Sequence, residues 1–291
     1  MTVADSKMNV RRRLPNWMNM PVIVGSTILL LMVLAAICAP LIAPMDPIKQ
    51  NILAQLAPPD AKYLLGADNF GRDTLSRLLF GARYSLTIGI LSTALAVFVG
   101  SLIGMVAGNF GGRIDIVLMQ VMDVVLAFPS LILGIALVAM LGATMTNIII
   151  AIAFTAVPAF ARIARSAVIS VRDREFIQAA RALGLSETWV LFRHILPNIV
   201  PEILVMASIW MATAVRTEAS LAFIGLGIAP PAPTWGGMVR QGFENILNSF
   251  YLALWPSVAI LILVLAFNMI GDGLRDAIDP RLRVVRDGES R

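Results

Sequence analysis

Apolar runs long enough to cross a lipid bilayer recur from one end of this 291-residue chain to the other. A helix rising 1.5 Å per residue needs about 20 apolar residues to traverse a hydrocarbon core of ~30 Å, and inside lipid its backbone must satisfy its own hydrogen bonds. Helices are therefore the expected spanning elements, and the runs place six of them near 22–43, 84–108, 117–141, 145–168, 199–227 and 251–271. The fold class that follows is all-α: a polytopic membrane protein in a single domain, 1–291. Composition agrees, because 58% hydrophobic and 14% charged residues exceed what one aqueous core can hide.

Charge orders the spans. Lys7 and Arg11 to Arg13 precede the apolar stretch Pro21 to Ala43, which is longer than the roughly 7–15 residues of a secretory signal core and reads as an uncleaved first span. The arginines crowd into 1–20, into 169–198 and its flanks, and into 272–291, so the positive-inside rule predicts that these three segments and both termini are cytoplasmic. The segments 44–83 and 229–250 are then external. A net charge of +5 does not point to nucleic acid, since aromatic residues make up only 7% and the basic residues form no single solvated module. Cys38 is the one cysteine and His194 the one histidine, which excludes an intrachain disulfide and leaves no expected metal site.

Several residues stand out against this apolar background. In the second span Ser92, Ala96, Gly100, Gly104 and Gly108 recur every four residues, a stripe that lets another helix approach closely; helix packing is the expected role and a pore lining the other reading. Arg216 and Glu218 are costly in lipid, on the order of 2.5–3.5 kcal/mol each at a helix centre, so they must face protein or water. Position 216 lies about 25 Å along a helix entered from the cytoplasm near Ile199, close to the outer mouth. Two readings stay open for the pair: the external end of a translocation path, or contacts to neighbouring helices. Asp123 likewise suits either the positive end of a helix or a gate, with Pro129 after it predicting a kink.

The 169–198 segment is the most informative. Asp173 reads as an N-cap, Glu175 as a first-turn acid and Gly184 as a stop, after which Ser186 caps a second short helix and Pro197 marks a boundary before the next span. Phe176, Ala180, Leu183 and Trp189 have little within so small a hairpin to pack on. They need either a partner surface or the membrane interface.

The segment resembles the EAA loop of ABC importer permeases: Gln178-Ala179-Ala180, Gly184 and Leu196-Pro197 fall at that pattern's spacings, with Gln178 in place of the usual Glu and His194 in place of Ile. A narrower resemblance, to the C-type permeases of dipeptide and oligopeptide importers, is carried by Leu64 to Asp73 with Gly81 to Leu86, by Asp123 to Pro129, and by Glu218 to Gly227 through Trp235-Gly236. Ala67 and Ala222 depart from it where Thr and Ser are usual.

The resemblance implies the type I ABC importer permease fold and transport of di- or oligopeptides by alternating access, with nickel chelates, glutathione or opines as alternative cargo. It implies as partners a homologous B-type permease, two cytoplasmic ABC ATPase subunits and a periplasmic substrate-binding protein. Residues 172–197 would dock into the ATPase, with Glu175, Gln178, Ala179, Ala180, Arg181, Gly184, Leu185, Leu196 and Pro197 as coupling residues. ATP and Mg would be bound by those partners and no cofactor by this chain. The stretch Gly66 to Asp73 mimics a phosphate loop but carries Arg72-Asp73 where Lys and Ser or Thr belong.

Overall fold

The computed structural model describes residues 20–278, in which every regular element is helical. The expected tail 1–20, save Met20, and the arginines beyond position 278 lie outside the described residues. Five helices are long and apolar enough to cross a membrane, and a sixth span exists if one sharply bent pair is counted as one.

The first is α1 (Met20–Ile42), which packs along α10 (Tyr251–Ile278). Gly25 makes that approach possible: a Cβ there would stand 2.7 Å from the carbonyl oxygen of Ala266. A strap then leads to α2 (Thr74–Phe110), a 37-residue helix whose N-cap Asp73 accepts from the Ser76 amide at 2.7 Å. The second span was expected to begin at 84; the helix starts ten residues earlier, and its first turns are buried at Thr74, Ser76, Arg77, Gly81 and Ala82. Polar residues there hide the helix from a hydropathy reading, while the Asp73 cap and the surrounding strap satisfy them.

The strap itself is built on buried charge. Asp68 accepts from the Phe70 and Arg72 amides with one oxygen and pairs with Arg72 Nε at 2.7 Å and Arg77 Nε at 3.3 Å with the other. Tyr251 Oη donates toward the carbonyl oxygens of Leu56 and Ala57 at 3.1 Å, and Trp235 Nε1 donates to that of Leu78 at 2.9 Å. The Tyr251 bonds lash the strap to α10, and the Trp235 bond ties α9 (Trp235–Glu244) to the first turns of α2. In the stretch that mimics a phosphate loop, Asp68 takes the inward amides.

The third span is not one helix. α3 (Gly112–Leu126) and α4 (Ser130–Leu141) meet at 87°. Pro129 has no N–H to continue the ladder, and a proline disfavours helical geometry at the residue before it, so the expected kink is a full break. α5 (Met145–Arg172) follows, capped by Thr144, and makes with α2 the most extensive helix contact among the described residues. The small stripe of α2 explains the closeness: a Cβ at Gly100 would stand 2.6 Å from the Val157 carbonyl oxygen, one at Gly108 would stand 2.9 Å from that of Arg165, and Gly104 meets Ala161 in the same way.

α6 (Glu175–Ala182) and α7 (Glu187–Val190) form the hairpin, and a π-helical turn (Leu191–Ile195) joins α7 to α8 (Leu196–Phe223). The boundary expected at Pro197 is absent. Pro197 sits in the first turn of α8, and the wider turn before it, with Leu196 N donating to Leu191 O, absorbs the missing donor. The cap expected at Asp173 is also corrected. Asp173 ends α5 and faces Arg172 at 3.6 Å, and Arg174 begins α6 with no side-chain cap.

Candidate functional site

Each face of the hairpin has a different task. Ile177, Ala180, Val190, Leu191 and Ile195 turn inward and form one cluster with Met105 of α2, Ala164, Val168 and Val171 of α5 and Ile199 and Ile203 of α8. The amphipathic spacing read from the sequence is thus used within the chain, and Ala180 belongs to this inner face. The outer face keeps Phe176, Leu183, Leu185, Trp189 and Phe192 exposed, Leu183 at 81%. Glu175, Gln178, Ala179, Gly184 and Pro197 share that exposure, while Leu196 is half-buried.

Gly184 has φ +80° and its amide bonds to the Arg181 carbonyl oxygen, a conformation that glycine adopts without steric cost. Ser186 accepts from Trp189 N at 3.3 Å, as a capping residue should. His194 stands edge-on to Trp189, their centroids 4.9 Å apart, and so keeps the indole on the surface.

A charged knot bolts this hairpin to the end of α2. Arg181 donates from Nη2 to Glu187 at 3.1 Å and to Asn109 Oδ1 at 3.2 Å, and the ion pair brings its Nε within 2.9 Å of the Glu187 carboxylate. Asn109 Nδ2 in turn donates to Glu187 at 3.1 Å. Arg172 Nη1 donates to the Gly108 carbonyl oxygen at 2.7 Å. Arg181 was a predicted site residue. Asn109 and Glu187 were not, because their partnership spans 78 positions and no local pattern signals it.

The remaining charged candidates separate. Arg216 is exposed on α8 and donates to Thr213 Oγ1 at 3.1 Å. Glu218 is 1% exposed, packed inside the chain, and neither carboxylate oxygen has a protein hydrogen-bond partner among the described residues. Two residues apart, they face different ways, as helical geometry requires. Glu218 therefore stands behind any path that Arg216 borders.

Asp123 pairs with Arg162 of α5 at 2.5 Å. Nearer the hairpin, Arg165 grips Asp115 through two bonds, at 2.5 and 2.6 Å. No local pattern signals the partners of Arg162 and Arg165, which lie 39 and 50 positions away on α3. Gly100, Gly104 and Gly108 all lie in the α2–α5 seam, where a side chain would strike the backbone of α5.

Comparison with known proteins agrees with this architecture. The model of the family described as binding-protein-dependent transport system inner membrane component matches residues 100–284, and that of the N-terminal TM domain of oligopeptide transport permease C matches residues 18–59. The dipeptide transport system permease protein DppC of Alkalihalophilus pseudofirmus is 42% identical over 90% of this chain and 86% of its own length. The glutathione transport system permease protein GsiD of Pectobacterium atrosepticum is 42% identical over 77% of this chain and 75% of its own length. In fold, an inward-facing structure of the MetNI methionine ABC transporter matches with a TM-score of 0.57 at 19% identity, covering 69% of this chain and 96% of that one. The chain belongs to the family of binding-protein-dependent transport system inner membrane components, the multi-pass permeases of ABC importers, and to its C-type branch.

Proposed function

We propose that this chain is the C-type half of a permease that imports di- and oligopeptides. It pairs with a homologous B-type permease, receives substrate from a periplasmic binding protein and is driven by two cytoplasmic ATPases. Both termini and the α6–α7 hairpin lie on the cytoplasmic side, and ATP and Mg are bound by the ATPases.

The observation that carries this reading is the two-faced hairpin. Its inner face belongs to the core of α2, α5 and α8, and its outer face leaves Phe176, Leu183, Trp189 and Phe192 uncovered. A partner gripping that outer face moves three spanning helices at once, because Arg181, Glu187 and Asn109 join the hairpin to α2 while α7 runs without interruption into α8. Arg216 and Asp123 border the path that those helices enclose, with Glu218 buried behind it.

Peptide is favoured as cargo by the dipeptide permease of A. pseudofirmus, which matches over most of both chains. Glutathione is the second reading, since the P. atrosepticum permease is equally identical over a shorter stretch. Reconstitution with the neighbouring subunits in proteoliposomes decides between them: dipeptide with its binding protein is expected to stimulate ATP hydrolysis and glutathione not. Absence of stimulation by any peptide overturns the reading.

A further inference from the structure

The chain leaves polar and apolar faces uncovered at the same depth, and the two cannot share a solvent. Asp123 lies six residues inside the expected span 117–141 and Arg162 six residues before the end of the expected span 145–168, so both stand about 9 Å inside the hairpin-side edge at 1.5 Å per residue. That is about a third of the way into a hydrocarbon core of ~30 Å. Their side chains are nevertheless 54% and 55% exposed. Gln120, three residues before Asp123, and Ser166 and Ser170, four and eight residues after Arg162, are exposed as well. Spacings of three and four put each set on one helix face, so a short polar patch surrounds the pair, bordered on α3 by exposed Val117, Val121 and Val124. Along α1, by contrast, Leu30, Leu31, Leu34, Ile37 and Leu41 are uncovered and wholly apolar.

The helix break supplies a second, independent sign. Ala127, Phe128 and Pro129, where α3 turns through 87° into α4, are exposed one turn beyond Asp123, and α4 starts without a side-chain cap. Broken backbone at membrane depth is tolerated only against protein or in a water-filled cavity. An exposed ion pair and an exposed break at one level favour water.

We propose that Asp123 and Arg162 line the aqueous path and close it electrostatically in its resting state, neutralising each other until a zwitterionic peptide offers its ammonium to Asp123 and its carboxylate to Arg162. This rests on the importer reading, since it names the substrate chemistry of that path. The pair keeps an unliganded path free of uncompensated charge, and a zwitterion is the ligand class that replaces both partners at once.

The test uses the complete importer in proteoliposomes, in a Cys38→Ser background that removes the chain's one cysteine. Ser166→Cys, which leaves the pair intact, and Asp123→Cys are treated with a charged, membrane-impermeant methanethiosulfonate. Both are expected to react on the order of 100-fold faster than Leu31→Cys on α1, because a thiol kept from water is held out of its reactive thiolate form. Reaction as slow as at Leu31→Cys overturns the proposal. Saturating dipeptide during turnover is expected to slow modification of Ser166→Cys, and an unchanged rate sinks the substrate contact.

Asp123→Asn and Arg162→Gln each strand one charge and are expected to raise peptide-independent ATP hydrolysis, while the exchange Asp123→Arg with Arg162→Asp restores coupling. Single variants that remain as tightly coupled as the parent refute the closing role. A parent complex without peptide-stimulated hydrolysis condemns the importer reading instead, so the two failures are distinguishable.

Discussion

At the scale of single residues, burial without a partner is the sharpest observation. Glu218 is 1% exposed and its carboxylate accepts no hydrogen bond from any described residue. Leaving a buried polar group unsatisfied costs about 1–3 kcal/mol, whereas an apolar group of the same shape is neutral or stabilising. Glu218→Met is therefore expected to raise the thermal midpoint of the purified chain in detergent, and a lowered midpoint would reveal a partner such as bound water. The Arg181–Glu187 pair is different in kind. Its side chains are 31% and 44% exposed, where an ion pair contributes about 0.2–1 kcal/mol. Arg181→Ala should leave the thermal midpoint nearly unchanged yet weaken peptide-stimulated ATP hydrolysis in the complex, because it unfastens the hairpin from Asn109 of α2.

Among the elements, the α2–α5 seam and the hairpin carry opposite demands. The seam requires glycine: a Cβ at Gly100 would press 2.6 Å from the backbone of Val157 and 2.7 Å from the Phe160 Cβ, and forced overpacking costs about 1–3 kcal/mol. Gly100→Ala should lower stability by about that much in thermal unfolding. Gly134→Ala on α4, where nothing lies within 4 Å, should be neutral or gain a few tenths to ~1 kcal/mol from helix propensity. The hairpin needs an uncovered aromatic face instead. Trp189 is 45% exposed and held by His194, and exposed tryptophans at interface centres carry much of a docking energy, about 2 kcal/mol or more. Trp189→Ala should cut binding of the ATPases to the detergent-solubilised permease, as followed by co-purification, while the chain itself still folds.

For the molecule as a whole, the uncovered polar face is decisive. An Asp–Arg pair half-exposed within the span cannot be left to lipid, and the proposed pairing with a second permease would shield it. Co-expression with the second permease is expected to raise the yield and the thermal midpoint of this chain relative to expression alone, as binding to the native state must. Equal yield and midpoint would imply that the α3–α5 face is satisfied without a companion.

Local chemistry determined much of this protein in advance. Apolar length set the spans, glycine spacing set a close helix contact, and Ser186 and Gly184 set the turns of the hairpin, because each depends only on residues a few positions apart. Tertiary structure alone decided the rest. The early start of α2 depends on strap residues that bury Arg72 and Arg77 against Asp68, the inward turn of Ala180 on a core drawn from three other helices, and the pairing of Asp123 with Arg162 on two helices brought together from 39 positions apart. A charged residue in an apolar run announces that it needs a partner, but only the packed helices specify which one, since the energy belongs to the pair and not to either side chain.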